Sequence, residues 1–256
     1  MGIFETLQRS DDKLSWSWWV TAEGYDRKNV LKNIRDIYLP KRLKQYGIED
    51  IPSNWVDIIK NPGLMAHFLS DVEFMVRNTA IVMPSWMNLF DQLVFESGQG
   101  LLLDQNNTDC FPHLTPSNTG IMNPLRLIED CIIQENLSIE VCYVTRTYLT
   151  RHGAGPLENE CPKESINPDM RDQTNVPNDF QGTLRYGKLD VGTLQNRVLK
   201  DFEPAKKYDA KLSLAITHCN ECDVPDLSNM SLDFLYYSAG KDRNSVTGRG
   251  LRKCLY

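Results

Sequence analysis

A chain of 256 residues is long enough to bury a sizeable core, as one large domain or two small ones. Its 41% apolar and 24% charged residues are ordinary for a soluble globular protein, while a net charge of −6 and a pI near 5.3 argue against a non-specific nucleic-acid binder, which needs a clustered basic face. No apolar run approaches the roughly 18 residues of a transmembrane helix, and MGIFETLQRSDDKLSW has neither the positive leader nor the apolar core of a secretory signal.

Gly2 and Thr6 match the acylation pattern M-G-x-x-x-[ST], which is too short to separate from chance. The cysteines at 110, 131, 142, 161, 219, 222 and 254 form an odd, scattered set and read as reduced thiols of a cytoplasmic protein. Cys219 and Cys222 make a CxxC beside His218, without a second ligand pair at zinc-site spacing.

In chain order, 26–47 carries apolar side chains at 30, 31, 34, 37 and 38, near helical spacing. Asp26 reads as its N-cap, Gly47 as its stop, and Pro40 as a kink or break. Residues 64–82 predict a second, more buried helix, with Leu64, Phe68, Leu69, Val72, Met75, Val76 and Ala80 on one side, so that 26–88 form a helical subregion. Strands are expected at 92–96, 139–149, 211–217 and 233–237, with a helix at 191–202 and a long polar segment at 156–188. Strands alternating with helices predict an α/β fold with a largely parallel sheet, whose ligands sit at the carboxyl ends of strands.

Four polar clusters begin where a predicted strand stops. In the first, Gln99 stands between two glycines ahead of Thr115, Ser117 and Asn118, and its amide suits a base edge or a phosphate. The bland alternative is a plain surface loop. In TRHGAGP (150–156), Arg151 and His152 are candidates for holding an anion, against a tight turn with Arg151 in a structural ion pair. In NDFQGTLRYGKLD (178–190), Thr183 and Arg185 could bind an anion, against a polar hairpin. THCN (217–220) and SAGKDR (238–243) suit the backbone around a base or phosphate. No HExxH, GxSxG or Walker A motif is present.

In this order the clusters resemble adenylosuccinate synthetase. That family carries Phe-Glu-Gly-Ala-Gln-Gly, then Leu-Leu-Asp, an aromatic-Pro and a Thr-Ser-Ser-Asn-Thr loop; here the series reads FESGQGLLLD and CFPHLTPSNT. Its Thr-Arg-Val-Gly-Ala-Gly-Pro is TRHGAGP here, its Thr/Arg-rich loop is QGTLRYGKLD, its Thr-Lys-x-Asp is THCN, and its Ser-Thr-Gly-Pro-Asp-Arg is SAGKDR. The resemblance spans about residues 90–245. It implies a mostly parallel sheet flanked by helices in the P-loop-NTPase-like fold of the family, a single domain over 1–256, and a missing N-terminal part. The implied reaction joins IMP and L-aspartate at the expense of GTP through 6-phosphoryl-IMP, with Mg²⁺, in a cytoplasmic homodimer. By resemblance, Gln99 and Thr115 contact the purine nucleoside monophosphate, Arg185 lies near its phosphate or the aspartate, and Thr183 sits in the aspartate loop. His218, Asn220, Ser238, Ala239 and Gly240 surround the guanine.

Three departures qualify this. The family's phosphate loop, catalytic aspartate and catalytic histidine precede the part seen here, and MGIFETLQRSDDK resembles the family's Gly-Ile-Gly-Pro-Ala-Tyr-Glu-Asp-Lys. The arginine-rich aspartate loop keeps only Arg185. His218 and Asn220 replace a lysine and an aspartate that read guanine, which admits ATP as donor. The alternatives are a non-catalytic purine-nucleotide-binding protein, or a relative that uses dGMP to make 2-aminoadenylosuccinate.

Overall fold

The computed structural model describes residues 3–9, 15–131, 137–170, 175–179 and 181–250; Gly2 of the acylation pattern, residues 10–13 of MGIFETLQRSDDK and Cys254 lie outside them. Contacts divide the chain into two compact units, Met1–Met83 and Pro84–Tyr256.

The first unit is helical: α1 (Ile3–Gln8), α2 (Trp16–Thr21), α3 (Gly24–Asn33), α4 (Leu39–Gln45), α5 (Ser53–Lys60) and α6 (Pro62–Asn78). Helices α3 and α4 are continuous through a π-helical segment, Ile34–Tyr38, in which the Leu39 N–H reaches the Ile34 carbonyl. The wider turn just ahead of Pro40 accommodates a residue that has no N–H and whose ring would collide with the preceding turn. Glu23 is the N-cap, and Asp26 falls in the first turn, where its charge favours the helix dipole. Gly47 does end the helix: at φ +70 it directs its N–H to the Lys44 carbonyl and that of Ile48 to the Leu43 carbonyl, each at 3.0 Å.

The expectation of a buried 64–82 helix is corrected. Helix α6 starts at Pro62 under an Asn61 cap and stops at Asn78, because the Asn78 amide and the Thr79 hydroxyl take the last carbonyls at 2.7 Å. Val72 alone of its predicted stripe is buried, at 7%, while Leu64 is 58% and Phe68 and Met75 are each 47% exposed. An apolar stripe is buried only where elements exist to cover it; within this unit the covering contacts come from α3 and α2. Glu5 joins α1 to the long helix, accepting from Tyr38 (2.7 Å), Arg42 (2.9 Å) and Tyr46 (3.1 Å). These bonds, that from Arg42 foremost, hold its carboxyl at about 2.

The second unit holds a four-stranded sheet in the order β1 (Ser138–Arg146), β5 (Asp209–Thr217), β6 (Phe234–Ser238), β7 (Val246–Gly250). The first two pairings are parallel and the last antiparallel. A smaller antiparallel sheet places β4 (Arg185–Lys188) between β2 (Tyr148–Arg151) and β3 (Glu160–Cys161). Leu212, Leu214, Ile216 and Leu235 form one buried cluster with Leu125 and Ile128 of α7 (Met122–Cys131) and Val198 and Phe202 of α8 (Val191–Phe202). The mostly parallel sheet flanked by helices is therefore as expected.

Two strand expectations change, and a strand appears within the segment expected to be polar loop. Residues 92–96 lie outside both sheets, and Val94 is 85% exposed. Apolar β-forming residues make a strand only when a neighbour takes their backbone bonds, and no described strand pairs there. The predicted strand 139–149 is two strands in different sheets, with the corner at Thr147, which is 5% exposed and bonds Thr217 through its N–H at 3.2 Å. The 178–190 segment delivers β4, paired on both sides. Helix α7 and strand β7 were not anticipated.

Candidate functional site

Gln99 is exposed at the mouth of a loop whose polar residues largely satisfy one another. The Thr115 N–H bonds the Leu103 carbonyl at 2.8 Å, and its hydroxyl lies 3.4 Å from that of Ser117. Asn118 Oδ1 accepts from the side-chain amides of Gln105 (3.1 Å) and Asn106 (2.9 Å), and Asn118 Nδ2 donates to Asn123 Oδ1 (3.2 Å) at the start of α7. The Asn, Thr and Ser content thus builds a self-bonded wrap with Gln99 and Thr115 on it.

The carboxyl ends of the parallel strands meet at a second cluster. The Thr147 hydroxyl donates to the His218 carbonyl at 3.3 Å, joining the ends of β1 and β5, and the Cys219 N–H reaches the Ser238 carbonyl at 3.1 Å, joining β5 to β6. His218 adopts φ +62, a left-handed conformation costly for a residue with a side chain. Its ring lies 2.9 Å from the Thr217 hydroxyl through Nδ1 and edge-on to Tyr148 at 5.8 Å. The Tyr148 hydroxyl donates to Glu221 at 2.6 Å, and burial and that carboxylate push it well above the usual phenol range. Ala239 and Gly240 are exposed beyond β6, and a Cβ on Gly240 would come within 2.4 Å of the Ser245 hydroxyl. Asn220 is exposed two residues after His218.

The two candidate arginines are engaged as scaffold. Arg151 donates to the carbonyls of Ala154 (3.0 Å), Pro156 (3.3 Å) and His113 (3.0 Å). Arg185 donates to Gly153 (2.9 Å), Gly155 (2.8 Å) and, in bidentate fashion, to Glu160 (2.8 and 2.5 Å). The Arg185 hydrogen bonds lower the Glu160 carboxyl. Together the guanidinium groups hold the carbonyls of four consecutive residues, 153–156. His152 contacts Asn175 at 2.6 Å, and Thr183 is exposed just before β4.

All four clusters lie in the second unit. Arg151 ties the first to the second through His113, Arg185 ties the second to the third, and the Tyr148–His218 ring contact brings in the fourth. An open cleft of ≈ 910 Å³ bounded by 224–228, 230–232, Leu235 and Tyr237 contains none of the candidate residues. Sequence reasoning missed Asp104 and Thr119, which bond each other across the loop, Tyr148 and Glu221, and Asn167, whose amide donates to the Glu221 carbonyl at 2.6 Å. Asp104 and Thr119 alone carried a signal, as the last residues of LLLD and TPSNT. Among the described residues, no three His, Cys, Asp or Glu side chains are grouped to hold a metal ion.

A family model described as adenylosuccinate synthetase matches residues 26–209. Among solved structures, a fully ligated adenylosuccinate synthetase from Plasmodium falciparum is 16% identical, with a TM-score of 0.49 over 82% of this chain. The match spans 44% of that chain, less than half its length. No curated protein matches.

Proposed function

Since the chain belongs to the adenylosuccinate synthetase family, we propose that it binds a purine nucleoside monophosphate and serves a C–N bond-forming ligase of purine nucleotide biosynthesis. The observation that carries this reading is the self-bonded 100–119 wrap, with the Gln99 amide exposed at its mouth. Gln99 and Thr115 meet the monophosphate. His218, Asn220, Ser238, Ala239 and Gly240 meet the base of a GTP or ATP donor, and Thr183 and Arg185 line the approach of the L-aspartate amine.

In the proposed reaction the γ-phosphoryl group passes to the purine O6. The amine then attacks C6, the C–O bond breaks with release of phosphate, and the C–N bond forms. The chemistry is one of positioning and charge. Magnesium accompanies the family's donor, but the described residues offer no cluster to hold it, so no step is derived through it. No phosphate-cradling motif occurs in these 256 residues, so this chain contributes binding and orientation. The same reading makes it part of a single 1–256 domain in a cytoplasmic homodimer. A binding protein without ligase activity is the second reading. It is favoured by Arg185, whose guanidinium is already occupied by Glu160 and two carbonyls.

Calorimetric titration with IMP, dGMP, GTP and ATP tests this. We expect monophosphate binding that weakens about ten-fold on Gln99→Ala, as for the loss of one or two polar contacts, with triphosphate binding unchanged. Equal monophosphate affinity in wild type and Q99A removes Gln99 from the site. Robust turnover of IMP, aspartate and GTP by this chain alone would show that the missing phosphate loop has a replacement within it.

A further inference from the structure

One carboxylate closes the 100–119 loop on itself. Asp104 Oδ1 accepts from the Asn106 N–H at 2.9 Å and from Asn106 Nδ2 at 3.0 Å. Its Oδ2 accepts from the Thr119 N–H at 2.7 Å, with the Thr119 hydroxyl 3.5 Å away. That hydroxyl donates to the Gly100 carbonyl at 3.0 Å, and Thr119 is only 6% exposed, so water does not compete for the bond. Two linked bonds thus run from the carboxylate to the carbonyl of Gly100, the residue that follows Gln99. Burial pushes the Asp104 carboxyl up, but the N–H groups of Asn106, Thr119 and Gly120 more than offset this, leaving it below the usual carboxylate range.

The far end of the loop is anchored separately. Asp201 of α8 accepts from the Ile121 N–H at 3.1 Å and from the Tyr143 hydroxyl at 2.7 Å. It packs so closely that a Cβ on Gly120 would lie 2.0 Å from its Oδ1. The loop therefore hangs from the core at 120–121, and the neighbouring Thr119, held by Asp104, carries that fixed position back to Gly100.

We propose that Asp104 is a positioning residue for the nucleotide, setting the Gly100 peptide and through it the direction of the Gln99 amide. This rests on the monophosphate reading given above. Gln99 stands between two glycines, the residues with most backbone freedom, so without the latch its orientation would be restricted only at the moment of binding and affinity would fall. The sign of the effect separates this role from a direct one. A carboxylate acting only through its charge near a phosphate repels it, so neutralising it would tighten binding. A latch loosens when neutralised.

The test is calorimetry with IMP and dGMP on the full chain, comparing wild type, Q99A, D104N, the double variant Q99A/D104N, and T119V, which breaks the same linkage with every charge in place. We expect D104N and T119V each to weaken binding about ten-fold, the loss of a charge-assisted contact. We expect the double variant to bind no more weakly than Q99A alone, because Asp104 acts through Gln99. Equal or tighter binding by D104N and T119V overturns the proposal, as does a fully additive loss in the double variant, the mark of general loosening. If circular dichroism shows D104N unfolded, T119V and Q99A/T119V decide by the same criteria. Absence of binding by wild type overturns the monophosphate reading and the latch with it. Loss on Q99A without loss on D104N or T119V leaves that reading standing and removes only the latch.

Discussion

His218 holds a left-handed backbone at the end of β5, where the chain turns away from the sheet. That conformation costs a residue with a Cβ about 1 kcal/mol relative to glycine. The Thr217 and Tyr148 contacts of its ring accompany the strained position. Alanine and glycine both remove the ring, but only glycine removes the strain. His218→Gly should therefore be more stable than His218→Ala by about 1 kcal/mol in urea denaturation, while both lose triphosphate affinity. Equal stability of the two would mean that the backbone relaxes when the ring is lost. The residue types at this corner were readable in the sequence as THCN after a strand. The strain was not, because it arises from the Thr147 and Ser238 bonds that fix both sides of the turn.

At the scale of elements, α8 shows why some segments were legible. Its start is marked by Asp190, whose carboxylate accepts from the Thr193 N–H at 2.7 Å and hydroxyl at 2.6 Å, and its apolar face brings Val198 and Phe202 to the core. Cap and stripe are both local, so the predicted bounds 191–202 match. Burial outweighs the exposed cap here. Val198→Ala, at a site 1% exposed, should cost about 2 kcal/mol. Asp190→Ala should lower the thermal midpoint less. The Thr193 hydrogen bonds hold the Asp190 carboxyl below its unfolded value, so the cap's contribution is present above the unfolded pKa and lost as pH falls through the folded one. The gap between wild type and D190A should accordingly close in acid, and a gap that persists there would rule out the carboxylate as the cap. Helix α6 is the opposite case. Its stripe was legible, but burial belongs to the neighbours, and of that stripe they fully bury only Val72.

Across the whole molecule, apolar burial is concentrated in the second unit. The central strand β5 is paired along both edges and contributes Leu214 and Ile216 at 0% exposure, whereas α6 buries a single residue. Native-state hydrogen exchange should find the slowest amides in β5 and much faster ones along α6. Uniform protection of the two would contradict the uneven distribution of core.

Sequence by itself determined the α/β class, the α8 helix, the parallel strands β5 and β6, and the order of polar clusters that identified the family. Each is written in local periodicity, in caps, or in motifs whose spacing survives divergence. Only the tertiary structure decided that 92–96 stays unpaired, that 139–149 bends into two sheets at Thr147, and that Arg151 and Arg185 donate to carbonyls of 153–156. It also decided that Asp104, a single carboxylate inside LLLD, reaches across the loop to Thr119. Pairing, burial and hydrogen-bond partnership are properties of residues far apart in the chain, and no local pattern specifies which distant group will complete them.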